Sequence, residues 1–343
     1  MANLSVTTVC NRDCAYCFAG VVRRSGVGHM SVGTFERALD FLTRSGIEEA
    51  RLLGGEPTLH PQFPRLGDMA LERGLRVRVF SNGMMPESAL QWLEKQAPDR
   101  VTVLINISAG DAERDGVFAR LRERVTLGFN IYTPAFDPAF LLDAIGQHGL
   151  SPRIRFGLAH PTAEGSNRFL HPRQYQEVGR RLAGFLEAAR AVGVEPSFDC
   201  GFVPCMFPPG FLESLGTAAA DIGVCCSPVL DILPDAQVVS CFPLAALARE
   251  AMPDGETADA LRCRFTTRLS GYRRLGIFRE CAACEVRASG RCVGGCLAAS
   301  MQRLRGRWRG NGAELGHGPA GLVASPTDLE VFNSGTGATM AFR

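Results

Sequence analysis

Apolar residues follow two alternating rhythms along the first two hundred positions. Short runs rich in β-branched residues, near 4–9, 50–54, 76–81, 101–108, 126–132 and 153–159, are separated by longer stretches in which apolar positions return every three or four residues. Between Ser31 and Ser45, residues Phe35, Ala38, Leu39 and Leu42 share one helical face, and Ser31 is placed to cap the first turn. A second long helical stretch runs from about His171 to Val192. Six strand-then-helix units predict an α/β fold with a parallel sheet and right-handed crossovers. The sheet is expected to curve into a partial (β/α)6 TIM-like barrel or to be doubly wound. In either case ligands belong at the carboxyl ends of the strands.

Near residue 195 the rhythm stops and Pro, Gly and Cys become frequent, so the chain is expected to divide into a core over 1–195, a cysteine-rich extension over 196–308 and a Gly/Ala/Ser/Thr-rich tail over 309–343. Ten of the thirteen cysteines lie in the extension, which reads as a small module organised by metal. The net charge of +2, from 37 basic and 35 acidic residues, provides no basic stripe for nucleic acid or anionic lipid. No apolar run is long enough for a membrane span and the start lacks signal-peptide features, so a cytoplasmic protein is expected. In a reducing compartment, close cysteine spacings favour metal or catalysis over disulfides. Lys95 is the only lysine, and arginine does not deprotonate, so proton transfer is expected to use other groups.

Three constellations carry the chemistry. The first is CNRDCAYC, in which Cys10, Cys14 and Cys17 directly follow the first strand. Three thiolates on one loop can hold three corners of a cubane and leave the fourth iron open; a zinc knuckle is the alternative, short of a fourth close ligand. The second is LLGGEPTLHP at the end of strand two, where Gly54 and Gly55 let backbone approach a ligand and Glu56 can accept from an ammonium group. His60 in the same stretch reads as a turn residue. The third is the run Cys281, Cys284, Cys292, Cys296, preceded by Cys225, Cys226 and Cys241. A zinc ribbon would also suit its CxxC and CxxxC arms.

The first two motifs, with the βα run behind them, resemble the radical S-adenosylmethionine (SAM) superfamily. That resemblance implies a [4Fe–4S] cluster on Cys10, Cys14 and Cys17 whose open iron is chelated by the amino and carboxylate groups of SAM. It also implies one-electron cleavage of SAM to methionine and a 5′-deoxyadenosyl radical, which removes a substrate hydrogen. Carried over residue by residue, Glu56 is expected near the SAM amino group, Ser81 and Asn82 near its carboxylate or ribose, and Tyr16 near adenine. Asn106 and Ser108, at the end of strand four, are further cofactor-binding candidates.

The cysteine-rich end resembles the SPASM or twitch-like extension of the same superfamily, which implies one or two auxiliary [4Fe–4S] clusters on Cys226, Cys241, Cys281, Cys284, Cys292 and Cys296. This chain has Ala236 where that pattern usually has glycine, and no final cysteine after Cys296. Cys200, Cys205 and Cys263 are the candidates for the missing ligand. The resemblance further implies an electron donor such as flavodoxin or ferredoxin.

Peptide modification by oxidation, crosslinking or epimerisation is the expected class of reaction, with a small-molecule biosynthetic enzyme as the second reading and a noncatalytic metal-binding interaction protein as a third. Only nine residues precede Cys10, so a peptide substrate is expected to need a separate leader-binding protein or direct recognition. Asp199 and Asp235 are candidate proton acceptors, and Cys225 and Cys263 are candidate hydrogen donors.

Overall fold

The computed structural model describes the chain apart from residues 24–25, 109–113, 163–166, 221, 224–225, 227–228 and 305–343. The tail expected over 309–343 and the candidate Cys225 therefore lie outside the described residues. In chain order the first elements are β1 (Asn3–Thr7), α1 (Gly20–Arg23), α2 (Val32–Arg44), β2 (Glu49–Gly54), α3 (Phe63–Glu72), β3 (Arg76–Ser81), α4 (Glu87–Lys95) and β4 (Val101–Asn106). They continue with α5 (Asp115–Leu121), β5 (Val125–Ile131), α6 (Phe140–His148), β6 (Arg153–Leu158), α7 (Tyr175–Ala191) and β7 (Glu195–Phe198). The remainder holds α8 (Phe211–Leu215), β8 (Asp231–Ile232), β9 (Gln237–Val239), β10 (Arg249–Ala251), α9 (Ala258–Arg273), α10 (Glu285–Ala288) and α11 (Leu297–Leu304).

The six predicted strands are present within a residue or two of their expected limits. Ser31 caps α2 by accepting from the Thr34 amide at 3.1 Å, and Phe35, Ala38, Leu39 and Leu42 are fully buried. Each large side chain buried in this way contributes about 1.5–3 kcal/mol relative to exposure.

All ten strands form one sheet in the order β10-β9-β8-β1-β2-β3-β4-β5-β6-β7. Strands β1 to β7 are successively parallel, each joined to the next through at least one helix. The expected boundary at 195 falls at the first residue of β7, which pairs with β6, so the parallel sheet continues past it. On the other side β8 joins β1 in parallel, with Asn3 opposite Asp231, and β9 and β10 follow antiparallel.

The two faces of the sheet differ. One carries Leu4, Val6, Leu52, Val77, Val79, Val103, Leu127 and Phe156, all buried in the main hydrophobic core. The other carries Ser5, Arg51, Arg78, Asn106, Asn130 and Arg155. The Arg155 guanidinium on β6 lies 5.2 Å from the Phe80 ring on β3. Three strand spacings separate β3 from β6, roughly 14 Å on a flat sheet, so the sheet curls and this polar face is the inside of a partial barrel. No helix among the described residues is long and apolar enough to cross a membrane.

Ala236, at the turn between β8 and β9, has φ of +60°, a left-handed conformation that costs a residue with a Cβ about 1–2 kcal/mol. The physical reason for a glycine in the similar pattern is therefore present here without the glycine. Ala236→Gly should raise the unfolding free energy by about 0.5–1 kcal/mol after the greater freedom of glycine in the unfolded chain is deducted. Chemical denaturation of the two proteins measures it, and a clear loss of stability would contradict the assignment of strain.

Candidate functional site

The loop carrying Cys10, Cys14 and Cys17 leaves the carboxyl end of β1 and is clamped to the turn after β2. The Gly55 amide donates to the Thr7 carbonyl and the Glu56 amide to the Val9 carbonyl, both at 2.8 Å. Gly54 has φ of +146°, and a Cβ there would stand 2.2 Å from the Thr7 carbonyl oxygen. A Cβ on Gly55 would stand 2.0 Å from the Val9 carbonyl oxygen and 3.0 Å from the Cys10 Cβ. Only glycine fits either position, because the two backbones touch.

The Cys17 amide donates to the Cys14 carbonyl at 2.9 Å, which folds the second half of the loop into a turn. Burial raises the Cys14 thiol pKa, with Arg12 opposing and Cys17 adding to the rise. Tyr16 stacks on Tyr132 with ring centroids 4.9 Å apart. Its hydroxyl is pushed up to about 12, first by burial and then by the neighbouring Cys14 thiol. All three thiols of the loop are partly exposed. Among the described residues no three His, Cys, Asp or Glu side chains converge as ligands of one ion. The fit to an iron–sulfur cluster therefore rests on the soft donor set and on three thiols sharing one partly open loop.

Glu56 is fully buried, and its own protein supplies its partners. Oε1 accepts from the Thr58 amide at 3.3 Å, the Thr58 hydroxyl at 2.6 Å and the Ser81 hydroxyl at 2.9 Å, while Oε2 accepts from the Asn82 amide at 2.8 Å. Burial raises its pKa and these hydrogen bonds oppose the rise. The structure thus places Glu56 as the organiser of the β3 exit rather than as a carboxylate facing outward; the half-buried Gly54 and Gly55 present the open side of the motif. Ser81 is likewise buried, donating to Glu56 and accepting from the Gly83 amide at 2.9 Å.

Asn82 reaches the cysteine loop from that turn, as does Met84, whose carbonyl accepts from Asn11 Nδ2 at 2.7 Å. The Asn82 Nδ2 donates to Asn11 Oδ1 at 2.8 Å and lies 3.8 Å from Cys10 Sγ, while the Asn82 Oδ1 accepts from the Met84 amide at 2.8 Å. Arg114, buried, donates through Nε to the Asn82 carbonyl at 2.6 Å.

On the inner face of the barrel, Asn130 Nδ2 donates to Asn106 Oδ1 at 3.2 Å. A Cβ on Gly128 would meet Asn106 Oδ1 at 2.4 Å, and one on Gly157 would meet Asn130 Oδ1 at 2.5 Å and Asp199 Oδ2 at 3.1 Å. Two glycines thus leave room for a polar row running Asn106, Asn130, Asp199. Asp199 pairs with Arg155 at 2.5 Å; the surrounding protein raises its pKa in spite of that cation. His160, buried beside it, contacts the Cys200 carbonyl through Nε2 at 3.0 Å. Ser108 is half-buried two residues beyond the end of β4. Asp235 does not face this site: it accepts from the Gln237 amide at 3.2 Å and pairs with Arg249 in the β8–β9 turn. His60 is structural, with Nε2 on the Met30 carbonyl at 2.9 Å and Nδ1 accepting from the Gln62 amide. Asn130, Tyr132, Arg155, His160 and Arg114 escaped the reading of the sequence. The alternation in TLGFNIY and RIRFGL was the only signal for Asn130, Tyr132 and Arg155, and Arg114 and His160, outside those runs, had none.

Burial also acts on thiols of the extension. Burial pushes the Cys241 thiol well up, and Cys296, Cys200 and Cys226 nearby add to it. Burial likewise pushes Cys205 up to about 11, with Cys281, Cys292 and Cys284 as its thiol neighbours. Cys263 is exposed on α9.

Comparison with known proteins adds to this geometry. Residues 4–127 match the Radical SAM superfamily. An S-adenosylmethionine-dependent nucleotide dehydratase of Selenomonas ruminantium is 32% identical over 84 residues, covering 24% of this chain and 30% of that protein, so the match spans less than a third of the relative's length. Among solved structures, Streptococcus suis SuiB bound to precursor peptide SuiA superposes with a TM-score of 0.60 at 13% identity, covering 87% of this chain and 71% of that one. Native anSMEcpe with bound AdoMet and Kp18Cys peptide gives 0.58 at 16% identity, covering 86% and 88%. At these identities the two structures speak for the fold.

Gly55→Ala should displace the cysteine loop, because a Cβ only 2.0 Å from the Val9 carbonyl oxygen forces that carbonyl, and Cys10 next to it, to move. The expected result is a lower melting temperature and loss of about four irons per chain after anaerobic reconstitution. The control is Gly33→Ala on α2, where a Cβ meets nothing within 4 Å; iron content should hold and stability rise by up to about 1 kcal/mol.

Proposed function

We propose that this chain, which carries a radical SAM domain over residues 4–127, is an oxidoreductase that reductively cleaves SAM and removes a hydrogen from a peptide or protein substrate. The observation that carries this reading is the junction of three motifs: the Gly54–Gly55 turn pressed on the cysteine loop, and Asn82 bonded into that loop from the next strand. A [4Fe–4S] cluster held by Cys10, Cys14 and Cys17, when bound, would supply the electron for cleavage of SAM at its open iron.

The chain's own residues position and shield. Glu56 fixes the β3 exit so that Asn82 and the Gly54–Gly55 backbone present polar groups beside the cluster loop; Oε2, with one bond made, has acceptor capacity left. Tyr16, stacked on Tyr132, forms an aromatic wall suited to adenine. Asn106 and Asn130 offer amides from adjacent strands to the cosubstrate or substrate. Asp199, held by Arg155 and kept more basic than usual by its surroundings, is placed to take a substrate proton if the reaction is an oxidation.

The peptide reading is supported by the fold shared with proteins solved with peptides bound. A small nucleotide-like substrate is the second reading, supported by the dehydratase match over 84 residues. We place auxiliary [4Fe–4S] clusters in the extension, and a flavodoxin or ferredoxin as electron donor.

The Cys10→Ala, Cys14→Ala and Cys17→Ala triple variant should form no 5′-deoxyadenosine from SAM and dithionite, and chromatography of the quenched reaction reads this directly. Retained cleavage would end the proposal. Asp199→Asn should leave 5′-deoxyadenosine formation in place while product falls on the order of 10²-fold, with mass analysis of peptides as the readout.

A further inference from the structure

Resting on the reading above that SAM lies beside Tyr16, we propose that Asn167 is a positioning residue of the cosubstrate site. Its amide holds the backbone of Tyr16 in the cysteine loop, and Gln302 on α11 holds Asn167 in turn through Thr162. The seating of that helix therefore sets how tightly SAM binds.

The segment after β6 crosses to the loop after β1. Its two described limbs, 159–162 and 167–170, meet where the Leu170 amide donates to the Ala159 carbonyl at 3.3 Å. The second limb reaches the cysteine loop between Cys14 and Cys17, at two successive carbonyls. The Arg168 amide donates to the Ala15 carbonyl at 2.8 Å, and Asn167 Nδ2 donates to the Tyr16 carbonyl at 3.2 Å. Four strands stand between β1 and β6 in the sheet, so the curl of the barrel is what brings these residues together.

Both ends of the Asn167 amide are engaged. Oδ1 accepts from the Thr162 amide at 3.0 Å, and Nδ2 donates also to the His160 carbonyl at 2.8 Å. With an N–H facing one end and two carbonyls facing the other, the orientation of the amide is fixed. An aspartate of the same shape would keep the first bond and lose both donations, placing a carboxylate oxygen against the Tyr16 carbonyl. The Tyr16 ring, stacked on Tyr132 with 24° between the planes, takes its direction from the backbone held in this way.

The chain of bonds continues beyond Asn167. The Thr162 carbonyl accepts from Gln302 Nε2 at 2.9 Å, and both residues are buried. Donation runs in one direction, from Gln302 to Thr162, from Thr162 to Asn167 and from Asn167 to Tyr16, an alignment in which hydrogen bonds away from water reinforce one another. The helix carrying Gln302 begins directly after Cys296, in the cysteine-rich extension. His160 braces the first limb against the exit of β7: a Cβ on Gly201 would stand 2.2 Å from its ring, and its Nε2 contacts the Cys200 carbonyl at 3.0 Å. Tyr16 is thus steadied from the extension as well as from the barrel.

The test measures the SAM dissociation constant of the full, anaerobically reconstituted chain by equilibrium dialysis with radiolabelled SAM, alongside iron content and melting temperature. Asn167→Ala and the near-isosteric Asn167→Asp should each raise Kd on the order of tenfold, with iron content at the wild-type value. Gln302→Ala should raise it about threefold. Asn167→Ala combined with Gln302→Ala should bind no more weakly than Asn167→Ala alone, the mark of two residues acting through one chain. Gln176→Ala, exposed on α7, should leave Kd unchanged. If the alanine protein does not fold, Asn167→Asp carries the test. Wild-type protein that binds no SAM overturns the functional reading itself. Wild-type binding with Kd unmoved in the Asn167 variants, even at a lowered melting temperature, overturns this inference alone, and additive effects of Asn167→Ala and Gln302→Ala overturn the link to α11.

Discussion

The contact on which the rest of the site depends is backbone against backbone. The strand exits of β1 and β2 come so close at Gly54 and Gly55 that no side chain fits between them, and the Val9 and Thr7 carbonyls accept from the turn that follows. Parallel strands permit this because neighbouring carboxyl ends lie at one edge of the sheet. Glu56 then extends the junction to a third strand. Its buried carboxylate gathers the hydroxyls of Thr58 and Ser81 and the amide of Asn82, so one side chain sets the geometry of two loops. A carboxylate this enclosed is tolerated because four donors answer it.

Curvature then supplies the chamber. With the outer face apolar and covered by helices, the inner face is free to carry Asn106, Asn130, Arg155 and Asp199, and the glycines at 128 and 157 keep that row uncrowded. The inner wall runs directly into the extension: Asp199 pairs with Arg155 on that wall, while Cys200 and Cys205 follow it in the chain. Events on the barrel wall and events at those thiols therefore share a short piece of covalent chain.

Much of this was legible beforehand. The period of α2, its Ser31 cap and the six strands are local properties, and local pattern reports them. The strand β7 was hidden because Glu195–Phe198 contains Pro196 and is followed by cysteine, so composition suggested a boundary where pairing continues. The strands β8 to β10 are two or three residues long, too short for any period. The motif drew attention to Glu56, but which way its carboxylate turns depends on donors 25 residues away in sequence at Ser81. Asn130 and Arg155 became visible only through the curl that brings distant strands face to face. The departure at Ala236 was visible in the letters, and its physical content, a left-handed backbone, was not.

One feature of the sheet bears on how the molecule is made. β1 is flanked by β2 on one side and by β8 on the other, with Asn3 bonded to Asp231 across 228 positions. During synthesis the first strand can find one neighbour early, yet its other edge stays unpaired until most of the polypeptide has left the ribosome. An unpaired edge invites pairing with other chains, and contacts this remote in sequence close slowly. The strand that launches the cysteine loop is thus exposed for most of translation, so overproduction in a fast-translating host favours inclusion bodies, and slower elongation or lower temperature favours recovery of assembled protein.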